Sequence, residues 1–153
     1  MFVIFKHKYS LSICFGLFLM TVASVNAQET SVENDQIQKV FTIENCVNTF
    51  SMDNTIKTDA GYQYWFADKN FLDGRTLKLS VVEPNNSTHA PHKHAEDEFF
   101  FILEGTAEFY LDGKTAVVGK NTSLYCPSNV MHGISNAGDT ELKYLVIKKY
   151  ELD

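Results

Sequence analysis

Beyond the first few dozen residues, apolar positions in this chain fall into short runs or alternate with polar ones, and stretches with the 3.6-residue helical period are scarce. Turn residues separate the runs at the spacing of an all-β sandwich or barrel. Strands are predicted over 62–67, 77–82, 98–103, 106–111, 115–118, 132–136 and 142–149. Asp112-Gly113 is a two-residue hairpin cue that needs positive φ, and Asp73-Gly74, Glu104-Gly105 and residues 136–139 give similar signals, so consecutive antiparallel hairpins are expected. The run Glu98-Phe99-Phe100-Phe101-Ile102-Leu103 is apolar on both faces after its leading acid. Both faces should therefore be covered, by another sheet or a second subunit. Residues 106–111 alternate instead, with Ala107, Phe109 and Leu111 on one face.

The apolar pattern at the N-terminus is of another kind. Lys6, His7 and Lys8 precede an apolar stretch over residues 11–25, which ends at Val25-Asn26-Ala27 with small residues at the cleavage positions. This is the layout of a cleavable secretory signal peptide over residues 1–27, and an apolar core of about 15 residues is short of the ~20 of a spanning helix. No stable membrane anchor is expected after cleavage, and the protein should be exported, to the periplasm or outside the cell. Residues 28–39 are polar and read as a flexible lead-in, which leaves one domain over 40–150.

That division changes what the composition means. The 153-residue chain carries a formal charge of −6, and removal of Lys6 and Lys8 makes the remainder more acidic still. An acidic balance excludes a nucleic-acid groove and a polybasic membrane surface, and the length excludes a duplicated barrel. About 126 residues can bury one core without a disulfide framework. Cys46 and Cys126 remain after cleavage; a disulfide between them and two separate thiols are both open, as is a reactive thiol at Cys126.

The chemistry concentrates in Pro91-His92-Lys93-His94-Ala95-Glu96-Asp97-Glu98. On an extended segment His92 and His94 point the same way, and Glu98 returns to that face as the next strand begins. Two imidazoles and a carboxylate suit a divalent first-row metal such as Mn, Fe, Co, Ni, Cu or Zn, and His132 offers a further imidazole from a later strand. The plain alternative is a set of exposed polar loop residues. The spacing is more specific than that: His92-x-His94-x3-Glu98-x6-Gly105 resembles the first motif of the cupin superfamily, and Pro127-x-Asn129-x2-His132-x3-Asn136 resembles the second. Asn86 and Asn129 stand where those motifs usually carry glycine, and asparagine is the non-glycine residue that best tolerates left-handed backbone. Gly119 lies a little farther before Pro127 than usual.

The resemblance implies a double-stranded β-helix, or jelly-roll barrel, with one divalent transition-metal ion in its mouth on His92, His94, Glu98 and His132. It implies a small-molecule ligand or substrate, and it also implies pairing of two copies through their sheets. Such a site polarises a carbonyl or binds vicinal oxygens as a Lewis acid, which supports isomerase or lyase chemistry on a small oxygenated acid or sugar-derived ligand; with Fe it supports a dioxygenase, and a non-catalytic metal or ligand binder uses the same residues. Glu108, Tyr110, Tyr64, Lys78 and Tyr125 are candidates for an acid or base on the pocket wall, with core or surface roles as the alternative. Arg75 is a candidate carboxylate clamp. Glu96 and Asp97 are candidates to orient a ligand histidine.

Overall fold

In the computed structural model, which describes residues 40–152, the alternating segments become strands. In chain order they are β1 (Ile56–Thr58), β2 (Gly61–Leu72), β3 (Arg75–Val82), β4 (Glu98–Glu104), β5 (Ala107–Leu111), β6 (Lys114–Val118), β7 (Ser123–Cys126), β8 (His132–Asn136) and β9 (Leu142–Lys149). A short helix, α1 (Ile43–Cys46), precedes them. The expected signal peptide and lead-in lie outside the described residues. Among those described, no helix is long and apolar enough to cross a membrane.

One sheet has the order β1-β2-β3-β9-β4-β7 and the other β6-β5-β8, and the strand pairs are antiparallel. The facing sides enclose a core that includes Phe100, Ile102, Ala107, Phe109, Leu124, Ile134, Leu142 and Tyr144. This is the expected all-β barrel. β1 and β7 were not predicted. Each is too short for alternation to register, and in β7 only Leu124 and Cys126 point inward.

The turns follow the backbone chemistry. Asp112 and Gly113 have φ of 46° and 84°, and Asp73 and Gly74 have 45° and 72°, the paired positive values that suit a hairpin to strand twist. Asn129 takes φ 59° as expected, but the left-handed residue of the earlier turn is Asn85 (φ 54°), not Asn86. The Asn86 side chain instead accepts from the Ser87 N–H, and its carbonyl accepts from the Asn136 N–H. Asn136 is buried: its amide donates to the Val82 and Thr140 carbonyls and accepts from the Gly138 N–H, so it joins three segments of the barrel.

Of the two coverings expected for β4, another sheet is not found among the described residues. Glu98, Phe100 and Ile102 are buried, whereas Phe99 is 43% and Leu103 38% exposed. Tyr125 and Ile147, which pair with Phe99 from the two neighbouring strands, are exposed too. Among the described residues β4 is therefore covered on one side. The same sheet face is closed further along, where Tyr64 packs with Leu79 and Val81, lies edge-on to Phe50, and donates its hydroxyl to the Thr49 carbonyl.

Candidate metal centre and its cavity

His92 and His94 lie on the extended segment that leads into β4, and His132 opens β8. A two-way backbone bridge joins the first and last: the His92 N–H donates to the His132 carbonyl and the His132 N–H to the His92 carbonyl, both at 2.9 Å. The turn before β8 is tied to the same segment, through the Asn129 N–H on the His94 carbonyl (2.8 Å) and the Ser128 hydroxyl on the Ala95 carbonyl. The left-handed Asn129 makes that turn, which explains why an asparagine serves where the motif usually has glycine. The two sequence motifs are thus one structural unit.

The imidazoles of His92, His94 and His132 form a triangle with ring centroids 5.4, 5.0 and 4.8 Å apart. Each ring turns its Nδ1 to a main-chain carbonyl: His94 to Glu96 at 2.7 Å, His132 to Val130 at 2.8 Å and His92 to Ala90 at 3.3 Å. A carbonyl only accepts, so these contacts place a proton on Nδ1 and turn each Nε2 into the site, where the neutral ring offers a lone pair to an ion. Glu98 Oε1 lies 3.1 Å from His132 Nε2 and 3.4 Å from His94 Nε2. The Nε2 atoms of His94 and His132 and a buried carboxylate therefore converge, a donor set that a divalent cation or a shared proton would satisfy. Donors on neighbouring vertices around an ion with bonds of about 2.1 Å are roughly 3.0–3.4 Å apart, so the spacing fits. His92, His94, Glu98 and His132 could hold one divalent ion.

Cys126 is the unexpected neighbour. Its buried sulfur groups with Glu98 and His132, while Cys46 is exposed on α1; both are free thiols, which leaves the disulfide reading aside. Burial first, then the Glu98 carboxylate, pushes the Cys126 thiol up to about 12. A reactive thiol needs the opposite environment, so that reading is withdrawn.

The candidate centre opens into a cavity of about 280 Å³, lined by Lys78, Ser80, Thr88, His89, His92, His94, Glu98, Tyr144 and Lys148 among others. Lys78 is the wall candidate that the structure places there. It looked like a surface residue because Leu77 and Leu79 flank it, but on this part of β3 the polarity is reversed. Leu79 packs on Tyr64 and Val81 outside the barrel, while Lys78 shares the inner face with Ser80. Burial pushes the Lys78 ammonium down from its ordinary range, Glu98 opposes that, and Lys148 adds to it.

The other candidates lie elsewhere. Tyr64 belongs to the outer cluster, and Glu108 and Tyr110 line a separate cavity of about 180 Å³. Tyr125 is exposed and donates to Asp97 (3.0 Å), so Asp97 serves a tyrosine and not a histidine. Arg75 is exposed at the start of β3, away from the candidate centre's cavity. Glu96 does contact a ligand candidate, with its carboxylate 3.5 Å from both His94 Nδ1 and Lys148 Nζ.

Sequence reasoning missed His89, Tyr144 and Lys148. His89 is an exposed ring 5.1 Å from that of His92, held down in pKa by burial and by the neighbouring His92 and Lys78. Its only sequence signal was proximity to the first motif. Tyr144 and Lys148 gave the same period-two signal as any residue of β9.

Comparison with known proteins agrees with this geometry. A family model described as a cupin domain matches residues 78–148. The chain is 32% identical over 65 residues to an oxalate-binding protein of Thermotoga maritima, covering 42% of this chain and 54% of that one. It is 31% identical over 80 residues to the mannose-1-phosphate guanylyltransferase RfbM of Salmonella typhimurium, covering 52% of this chain and 16% of that protein. The matches thus span about half of the one relative and a sixth of the other. The crystal structure of a predicted oxalate decarboxylase from Thermotoga maritima superposes with a TM-score of 0.54 at 25% identity, over 57% of this chain and 78% of that one. Both halves of the candidate centre fall inside the matched segment, and the barrel around them has the matching fold: residues 78–148 of this chain are a cupin domain.

Proposed function

We propose that this protein is an exported, metal-dependent cupin that acts on a small oxygenated acid or sugar-derived ligand by Lewis-acid chemistry of the isomerase or lyase type. The observation that carries the metal reading is the convergence of the Nε2 atoms of His94 and His132 on Glu98 Oε1, with His92 grouped with the other two histidines. A divalent ion held there supplies a Lewis acid that polarises a ligand oxygen.

This chain's own residues do the rest. The carbonyls of Ala90, Glu96 and Val130 fix each imidazole by its Nδ1, so the rings need no reorganisation on loading. Tyr144 places its hydroxyl beside Thr88 and Ser80 in the cavity, where burial keeps it protonated and able to donate. His89, whose Nε2 lies 3.4 Å from the Thr88 hydroxyl, is the ring placed to take or return a proton at the cavity wall. Acid ligands are favoured by two cavity lysines and by the oxalate-related names of relatives; export rests on the N-terminal sequence pattern.

The test is elemental analysis of protein purified without chelator. The wild type should carry about one metal ion per chain, and His94→Ala and His132→Ala should lose most of it. Undiminished stoichiometry in folded variants overturns the reading. A non-catalytic binder is a second reading, favoured by the oxalate-binding relative. Tight binding of an acid with no turnover across isomerisation and cleavage screens would select it.

A further inference from the structure

The candidate centre leaves one charge in the cavity unaccounted for. Lys78 is partly buried on the inner face of β3 and lines the same cavity as His92, His94 and Glu98. Lys148, across the cavity wall, has its own counter-charge in Glu96, and Lys143 and Lys149 have theirs. Among the described residues, no carboxylate lies within ion-pair distance of Lys78. Its partner is instead the face of Trp65, with Nζ 5.1 Å from the ring centre. A cation–π contact contributes about 0.5–2 kcal/mol but leaves the charge in place, and a cation withdrawn from water without an anion costs several kcal/mol. Glu98, whose charge does reach Lys78, is committed to the ion.

We infer that Lys78 is the second anchor of the ligand, which is a small dianion of the dicarboxylate class with one carboxylate at the ion site and the other on the Lys78 ammonium. The inference rests on the metal reading above and deepens it. Trp65 restricts the lysine stem and Ser80, inward-facing beside it on β3, supplies a hydroxyl, so the ammonium is held ready for an anion instead of sweeping through solvent. The cavity is at the small end of ligand sites, which suits a short acid.

The test compares malonate with its monomethyl ester, which keeps one carboxylate and masks the other, by calorimetry on metal-loaded wild type, Lys78→Gln and Lys78→Arg. Metal content is measured on the same samples. The wild type should prefer malonate at least about tenfold; Lys78→Gln should lose that preference through weaker malonate binding, with ester affinity and metal content unchanged, and Lys78→Arg should restore most of it. A full metal complement with the preference intact in Lys78→Gln overturns the dianion inference alone, because malonate would then hold to the ion by both carboxylates. Wild type without metal overturns the metal reading and this inference with it.

Discussion

Cys126 shows how one residue can report on the environment of the whole site. In the unfolded chain its thiol ionises near 8.5, whereas in the fold burial and Glu98 hold it protonated up to about 12. Below the lower value both states carry the proton and the group has no effect on stability. Between the two, the unfolded state loses the proton and the folded state keeps it, so stability is lost as pH rises through that window. In chelated protein the unfolding free energy from urea titrations should fall between pH 8.5 and 10.5, by up to roughly 1.4 kcal/mol per pH unit from this group. Cys126→Ala should show a shallower decline than wild type over the same range. Equal slopes would mean that the thiol is not shielded as described.

The residue scale is also where the sequence was most and least informative. His92, His94, Glu98 and His132 were legible because chemistry-bearing types at fixed spacing stand out from a background of apolar alternation. Lys78 was legible only as one of five wall candidates, and Tyr144 was not legible at all. Whether a strand residue faces a cavity or solvent depends on which sheet face is the hollow one, and the flanking leucines of Lys78 pointed to the wrong face. His89 depends on a loop path that no periodicity encodes.

At the scale of elements, glycine and asparagine decide where strands end. Gly105, between β4 and β5, has φ 86°, and a Cβ built there would meet the Glu141 carbonyl oxygen at 2.5 Å and Leu142 Cα at 2.9 Å. Gly113, in the β5–β6 hairpin, has φ 84° with nothing within 4 Å. The two glycines share a backbone conformation and differ in space, so they separate two costs. Gly113→Ala should lower stability by about 1–2 kcal/mol, the left-handed cost alone, and Gly105→Ala by roughly 2–4 kcal/mol, because backbone must also move. Thermal denaturation of the pair checks this, and equal losses would show that the close approach at Gly105 is not real.

Strand existence was well marked by such punctuation, which is why seven strands were predicted near their observed positions. Their extents were not. β2 runs on to Leu72 through polar Asp68, Lys69 and Asn70, held by pairing with β3 across register shifts that a sequence pattern cannot carry. The covering of β4 is open to a similar limit of the pattern. Alternation reveals that both faces are apolar, but whether something lies on the outer one is a property of the assembly.

For the molecule as a whole, the candidate centre is a staple between the two sheets. Glu98 begins a strand of the larger sheet and His132 a strand of the smaller, so an ion on both joins the sheets as well as any pocket. A ligand that binds only the folded state stabilises it by about 2.7 kcal/mol at a hundredfold excess over its dissociation constant. Removing the ion with a chelator should lower the melting temperature by several degrees, and readdition should restore it. A melting temperature indifferent to chelator would place any bound ion away from these four residues.

The bridge between His92 and His132 has a consequence in time. Its two strands are separated by the whole run from β4 to β7, so this contact is among those that close late, after the intervening hairpins have formed. A chain still being synthesised has His92, His94 and Glu98 but not the fourth candidate donor, and could not hold an ion as the finished barrel would. On the metal reading, an ion would enter a protein that has already folded. It should do little to hasten folding, and its effect should fall on how slowly the barrel comes apart.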